Sequence, residues 1–176
     1  MAATPILLMP MNEYSLAWEA LEGRSGHEVG RLLLERLYRK ETGADLPKIA
    51  IGAWGKPYFV DVPLHFSISH TKNHAFCALA PHPIGIDAEE KNRKIKLRLA
   101  DKILSPSERL RFDGAADRED ALLRLWVLKE ASVKLTGKGL QGYPNHTDFS
   151  LEDPRIREID GCYVAVITEK GEQYAL

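Results

Sequence analysis

Hydrophobic positions change period along this chain, and the changes divide it into elements. Val29, Leu32, Leu33 and Leu37 recur at helical spacing, with Ser25 as a side-chain cap before them and Gly43 as a terminator after Lys40 and Glu41, so a helix is predicted there. From residue 49 to residue 80 the signal shifts to short β-type runs, 49–54, 58–62, 64–69 and 74–80. Gly55-Lys56-Pro57, Pro63 and Thr71-Lys72-Asn73 part them, which predicts an antiparallel meander. Residues 5–9, bracketed by Pro5 and Pro10, and residues 83–89 read as two further strands. Helical spacing returns at Ile95, Leu99 and Ile103. Ser105-Pro106-Ser107-Glu108 is a capping box with proline at the first helical position, so a new helix starts there. The longest helix is predicted over 118–135, ending before Gly137-Lys138-Gly139, and 149–151 and 162–168 close the chain as strands. Helix, strands, helices, strands is an α+β order.

Composition narrows the class. The 176 residues are 44% hydrophobic and 28% charged, close to the average of globular domains, which excludes disordered, collagen-like and disulfide-scaffold classes. A single domain is expected, 1–176. The net charge of −1 argues against a surface given over wholly to nucleic acid or membrane. Cys77 and Cys162 are the two cysteines, and the opening lacks a basic-then-apolar leader; both point to a reducing, cytoplasmic setting with buried thiols.

Four patterns carry candidate chemistry, and each has a plain structural alternative. Asp87 and Glu89 lie two apart on a predicted strand, so both carboxylates leave one face of the sheet. Paired acids repel unless a cation sits between them, and Mg²⁺ suits oxygen ligands; the same spacing also fits a solvent-facing strand end. Glu130 and Lys134 are four apart on the longest helix, which is either an i,i+4 pair worth about 0.2–0.5 kcal/mol or a third carboxylate and an ammonium brought to the first two. Lys129 beside them lies between apolar neighbours and needs a partner. Ser69-His70 at a strand end can bind phosphate oxygens or complete a turn. Gly55-Lys56-Pro57 reads first as a hairpin turn. The other histidines show no zinc spacing.

Taken together these motifs are more specific than any one of them. Gly55-Lys56-Pro57, Phe66-Ser67-Ile68-Ser69-His70, Ile84-Gly85-Ile86-Asp87-Ala88-Glu89 and the run from Trp126 through Lys129-Glu130 to Lys134, followed by Gly137-Lys138-Gly139-Leu140, resemble the 4′-phosphopantetheinyl transferases. Their order and separations match the monomeric, surfactin-synthetase-activating type. The resemblance implies a pseudo-twofold fold with antiparallel sheets packed on helices, its halves roughly 1–86 and 87–176. It implies transfer of phosphopantetheine from coenzyme A to a serine of an apo acyl, polyketide or peptidyl carrier protein, leaving 3′,5′-ADP, with Mg²⁺ or Mn²⁺ on the pyrophosphate. By matched position Asp87, Glu89 and Glu130 are the implied metal ligands, with Glu130 also the candidate base. Lys134 with Lys129 nearby would neutralise pyrophosphate, Ser69 and His70 would hold phosphates, and Gly55, Lys56 and Pro57 would border the nucleotide.

One departure concerns the nucleotide. Longer members of the family carry basic residues on an N-terminal extension, whereas only Arg24 precedes the first helix here, so Arg24, or Arg31 a helix turn further on, is the expected substitute. From residue 91 to 111 eight basic residues face two acids, a local net of +6. Carrier proteins are acidic, so Arg93, Lys94, Lys96 and Arg98 are the expected docking residues. The stretch has no aromatic platform for nucleic acid. An inactive relative that keeps a coenzyme A pocket is the competing class.

Overall fold

A computed structural model describes residues 6–8, 13–138 and 147–169, with 6–8 described through their backbone. Three sheets and four helices follow one another as β1 (Ile6–Leu8), β2 (Ser15–Ala20), α1 (Gly26–Thr42), β3 (Ile49–Ile51), β4 (Pro57–Phe59), β5 (His65–His70), β6 (His74–Ala80), β7 (Ile84–Glu90), a 3₁₀ turn at Leu97–Leu99, α2 (Ala100–Ile103), α3 (Pro106–Asp113), α4 (Arg118–Thr136), β8 (Ile156–Ile159) and β9 (Cys162–Thr168). Every strand pair is antiparallel, in orders β1-β2-β6-β5, β3-β4 and β7-β9-β8. This is the expected α+β class.

The local signals that end helices operate as the sequence indicates. The Ser25 hydroxyl accepts from the Glu28 amide, and Gly43 at φ 72° closes α1 by donating to the Arg39 carbonyl. Ser105 and Glu108 form the reciprocal capping box of α3. Asp117 caps α4, which ends at Gly137 with φ 66°.

Three apolar clusters stack these elements into layers. Val29, Leu33, Leu34 and Leu37 of α1 pack on Ala17, Cys77 and Leu79, one face of the four-stranded sheet. The opposite face, through Leu16, Phe76 and Ala78, meets Ile84, Ile86, Ala88, Val164 and Val166 of the three-stranded sheet. The far side of that second sheet, Tyr163, Ala165 and Ile167, packs on α4 through Leu125, Leu128 and Ala131. Alternation along β7 therefore sends Ile84, Ile86 and Ala88 between the sheets and Gly85, Asp87 and Glu89 toward α4.

Gly85 makes that last contact close. A Cβ there would meet the backbone of Ala131 and Leu135, the Leu135 Cα at 2.9 Å, so no side-chain rotation can relieve it. Gly85→Ala is expected to cost about 1–3 kcal/mol in a chemical unfolding curve by pushing α4 away from β7; a variant as stable as the parent would show that α4 has slack.

Four expectations differ from the fold. The predicted meander is divided: β3 and β4 form their own two-stranded sheet, and β7 leaves the first sheet to pair with β9. Ser15–Ala20, which no sequence signal marked, is a central strand flanked by β1 and β6. The helical spacing of Ile95, Leu99 and Ile103 yields only the 3₁₀ turn and the single turn α2, although Ile95 and Ile103 are buried as their spacing implies. Residues 149–151 are not a strand; Phe149 is buried beside α3, and the strand that flanks β9 opposite β7 is β8. The ends of the run at 5–9, together with Gly139, Leu140 and His146, lie outside the described residues.

Candidate active site

A cleft of about 540 Å³ opens where five parts of the chain converge. The β3–β4 turn supplies Trp54, Gly55, Lys56 and Pro57, the end of β5 supplies Ser69 and His70, β7 supplies Asp87 and Glu89, and α4 supplies Lys134. The first turn of α1 adds His27.

The polar centre of the cleft is Asp87, only 6% exposed. Its Oδ1 accepts from Lys134 Nζ at 2.6 Å and from the Ser69 hydroxyl at 3.1 Å, while Lys134 Nζ also donates to Ser69 Oγ at 3.1 Å. Its Oδ2 is buried and has no hydrogen-bond partner among the described residues. A buried, unpaired carboxylate oxygen is costly unless something cationic or donating reaches it. Glu89, two residues on, is half-buried and paired with Arg93.

Among the described residues no three His, Cys, Asp or Glu side chains are placed to hold a metal ion, and Glu130, half-buried on α4, does not border the cleft. Two of the three expected metal ligands already hold counter-ions: like charges repel, and Asp87 has taken the Lys134 ammonium and Glu89 the Arg93 guanidinium. What remains suited to a hard cation is the pair Asp87 and Glu89 on one face of β7, together with the free Oδ2.

Lys129 lies elsewhere than the resemblance placed it. Both it and Glu108 are wholly buried, their charges 2.6 Å apart, and Lys129 donates to the Thr147 carbonyl at 2.8 Å. The helix rotates Lys129 away from the cleft that Lys134 borders, and the apolar neighbours noted in the sequence enclose it.

Lys56 and Arg24 are likewise committed to partners within the protein. Lys56 Nζ donates to the carbonyls of Ile84 and Leu135 at 3.1 and 2.8 Å, and burial pushes its ammonium below the usual lysine value. Lys56 thus fastens the hairpin turn to β7 and to the end of α4. Arg24 bonds Glu19 and the carbonyls of Ala20 and Leu21.

His27, whose spacing fits no metal site in the sequence, lines the cleft. Its ring meets that of His70 edge-on, centroids 5.1 Å apart, and Gly26 leaves room for the His70 ring against the start of α1. The sequence signal at this position is the Ser25 cap: α1, 17 residues long, begins at the cleft and brings a positive dipole end.

The basic stretch is weaker than its count. Lys91, Arg93, Lys94, Arg109 and Arg111 pair with Glu158, Glu89, Glu119, Asp113 and Asp148. Lys96, Arg98 and Lys102 pair with no carboxylate among the described residues, and Lys96 and Arg98 flank the exposed Leu97.

Comparison with known proteins decides the family. Residues 83–169, which hold β7, α4 and the acid pair, match the model of the 4′-phosphopantetheinyl transferase superfamily. The chain is 35% identical over 150 residues to a 4′-phosphopantetheinyl transferase of Bacillus subtilis, covering 82% of this chain and 63% of that protein. The chain belongs to the 4′-phosphopantetheinyl transferase superfamily. Two further transferases agree. The 4′-phosphopantetheinyl transferase Sfp of Bacillus subtilis (strain 168) is 34% identical over 118 residues, which cover 65% of this chain and 51% of that one. The 4′-phosphopantetheinyl transferase gsp of Aneurinibacillus migulanus is 35% identical over 89 residues, 49% of this chain and 37% of that one. The chain thus matches less than two thirds of the length of each of these transferases. Among the described residues no helix is long and apolar enough to cross a membrane.

Proposed function

We propose that this protein transfers the 4′-phosphopantetheine group of coenzyme A to a serine hydroxyl of an apo acyl, polyketide or peptidyl carrier protein and releases 3′,5′-ADP. The observation that carries the reading is Asp87, whose buried Oδ2 lacks a partner among the described residues while Lys134 holds Oδ1 beside a cleft large enough for a nucleotide. The names of the transferases it is similar to agree with it.

The carrier serine oxygen would attack the pantetheine-bearing phosphorus, and the bond to the bridging oxygen would break toward 3′,5′-ADP. Such a displacement needs its charge stabilised and its nucleophile deprotonated. Asp87 and Glu89 would hold Mg²⁺ or Mn²⁺, with Glu130 the third ligand on the family pattern; the metal would neutralise pyrophosphate charge. Lys134 stands on α4 to add a second positive charge, and Glu130, directly or through a water, would take the serine proton. His70, beside the start of α1 and edge-on to His27, would receive the 3′-phosphate. Gly55 and Pro57 would border the nucleotide, where Lys56 acts by fixing the turn rather than by offering charge.

The arrangement of α1 on one sheet and α4 on the other supports two related halves in a single domain, roughly 1–86 and 87–176. For carrier docking, the charge of this stretch points to Arg93, Lys94, Lys96 and Arg98; Arg93 and Lys94 already pair with Glu89 and Glu119, whereas Lys96 and Arg98, around Leu97, have no carboxylate partner among the described residues and would meet an acidic partner. The test is to incubate the protein with coenzyme A, Mg²⁺ and an apo carrier protein and weigh the carrier. A gain equal to one phosphopantetheine is expected; no gain across fatty-acid, polyketide and peptide carriers would overturn the assignment.

A further inference from the structure

The strands β5 and β7 are the edges of two different sheets, and no backbone ladder joins them. Two hydroxyls do. Ser67 Oγ accepts from the Ile86 amide at 3.1 Å and Ser69 Oγ from the Ala88 amide at 3.2 Å, so side chains two apart on one strand meet amides two apart on the other. Ser69 differs from Ser67 in that it also touches charged groups. Its proton goes to Asp87 Oδ1 at 3.1 Å, and its second acceptor site takes Lys134 Nζ at 3.1 Å. A serine hydroxyl has one donor and two acceptor positions. All three are used within the protein, and the residue is 5% exposed. A phosphate oxygen needs a donor, and Ser69 has none left to give.

We propose that Ser69 is a positioning residue for the Asp87 carboxylate and not a phosphate ligand. With Lys134 it claims Oδ1, which fixes the rotamer and leaves Oδ2 as the oxygen offered to a divalent cation. The inference rests on the transfer reading above, and it departs from the family expectation that placed this serine on coenzyme A. Residues that orient a ligating group typically alter metal affinity about 10- to 100-fold when removed.

The experiment measures two affinities separately on the whole protein: Mn²⁺ without coenzyme A, from the electron paramagnetic resonance signal of the free ion, and coenzyme A in EDTA, by calorimetry. Ser69→Ala is expected to weaken Mn²⁺ binding about 10- to 100-fold and to leave coenzyme A binding in EDTA unchanged. Ser67→Ala removes the equivalent seam bond without touching a carboxylate, so it should lower the melting temperature while keeping Mn²⁺ affinity. Loss of coenzyme A binding in EDTA by Ser69→Ala would make the serine a phosphate ligand and overturn the proposal. So would unchanged Mn²⁺ affinity in Ser69→Ala, or an equal loss in Ser67→Ala. A parent protein that binds Mn²⁺ and modifies its carrier, with Ser69→Ala indistinguishable from it, sinks the positioning role and leaves the transfer reading standing. A parent that binds neither Mn²⁺ nor coenzyme A sinks both.

Discussion

Asp87→Asn should lower carrier modification by about 10²–10³-fold, the usual effect of removing one preorganised charge-stabilising group, while the protein stays folded. Asparagine keeps the shape of the side chain and an acceptor oxygen for Ser69 and Lys134, so the contacts around Oδ1 survive. What it removes is the negative charge and the free acceptor at Oδ2. Lys134 loses its counter-ion but is one-third exposed, so its ammonium can turn to water and the stability cost stays small. The measurement is the rate of carrier modification at saturating coenzyme A, beside a thermal melt. Parent-like transfer in a folded variant would remove Asp87 from the reaction. A variant that recovers when the Mg²⁺ concentration is raised would instead show weakened metal binding with the remaining ligands intact.

The elements that sequence located best are those whose signals are local. Ser25, Ser105 and Asp117 mark helix starts because each satisfies an amide three residues away, and Gly43 and Gly137 mark ends because each adopts positive φ. What escaped depends on distant partners. Ser15–Ala20 contains two alanines and a glutamate, poor strand formers, and becomes a central strand only because β1 and β6 pair with it. The site divides the same way. Asp87, Ser69, His70 and Lys134 line one cleft. Lys129 does not, because spacing along a helix names the row but not which row the core claims. Nor could spacing show that a hydroxyl at Ser69 is fully used by its neighbours, a fact that exists only once β5 and β7 lie side by side.

Lys129→Met should destabilise the fold by about 3–5 kcal/mol, because it leaves the Glu108 carboxylate buried without its cation. Glu108 is an unusually connected group: Oε2 accepts from the Ser105 amide as part of the α3 capping box and faces Lys129, while Oε1 accepts from the Phe149 amide. Lys129 in turn holds the Thr147 carbonyl, so the pair pins residues 147–149 onto α3 and α4. Domains of this kind are stable by only about 5–15 kcal/mol, so the single change removes a large share. The double variant Glu108→Gln with Lys129→Met should be milder than Lys129→Met alone, since the neutral amide oxygen still accepts a backbone proton and no charge is stranded; that non-additivity marks direct coupling. Urea unfolding of both variants measures it. The opposite pattern, full stability in Lys129→Met with coenzyme A affinity lost, would return Lys129 to the cleft and contradict its burial against Glu108.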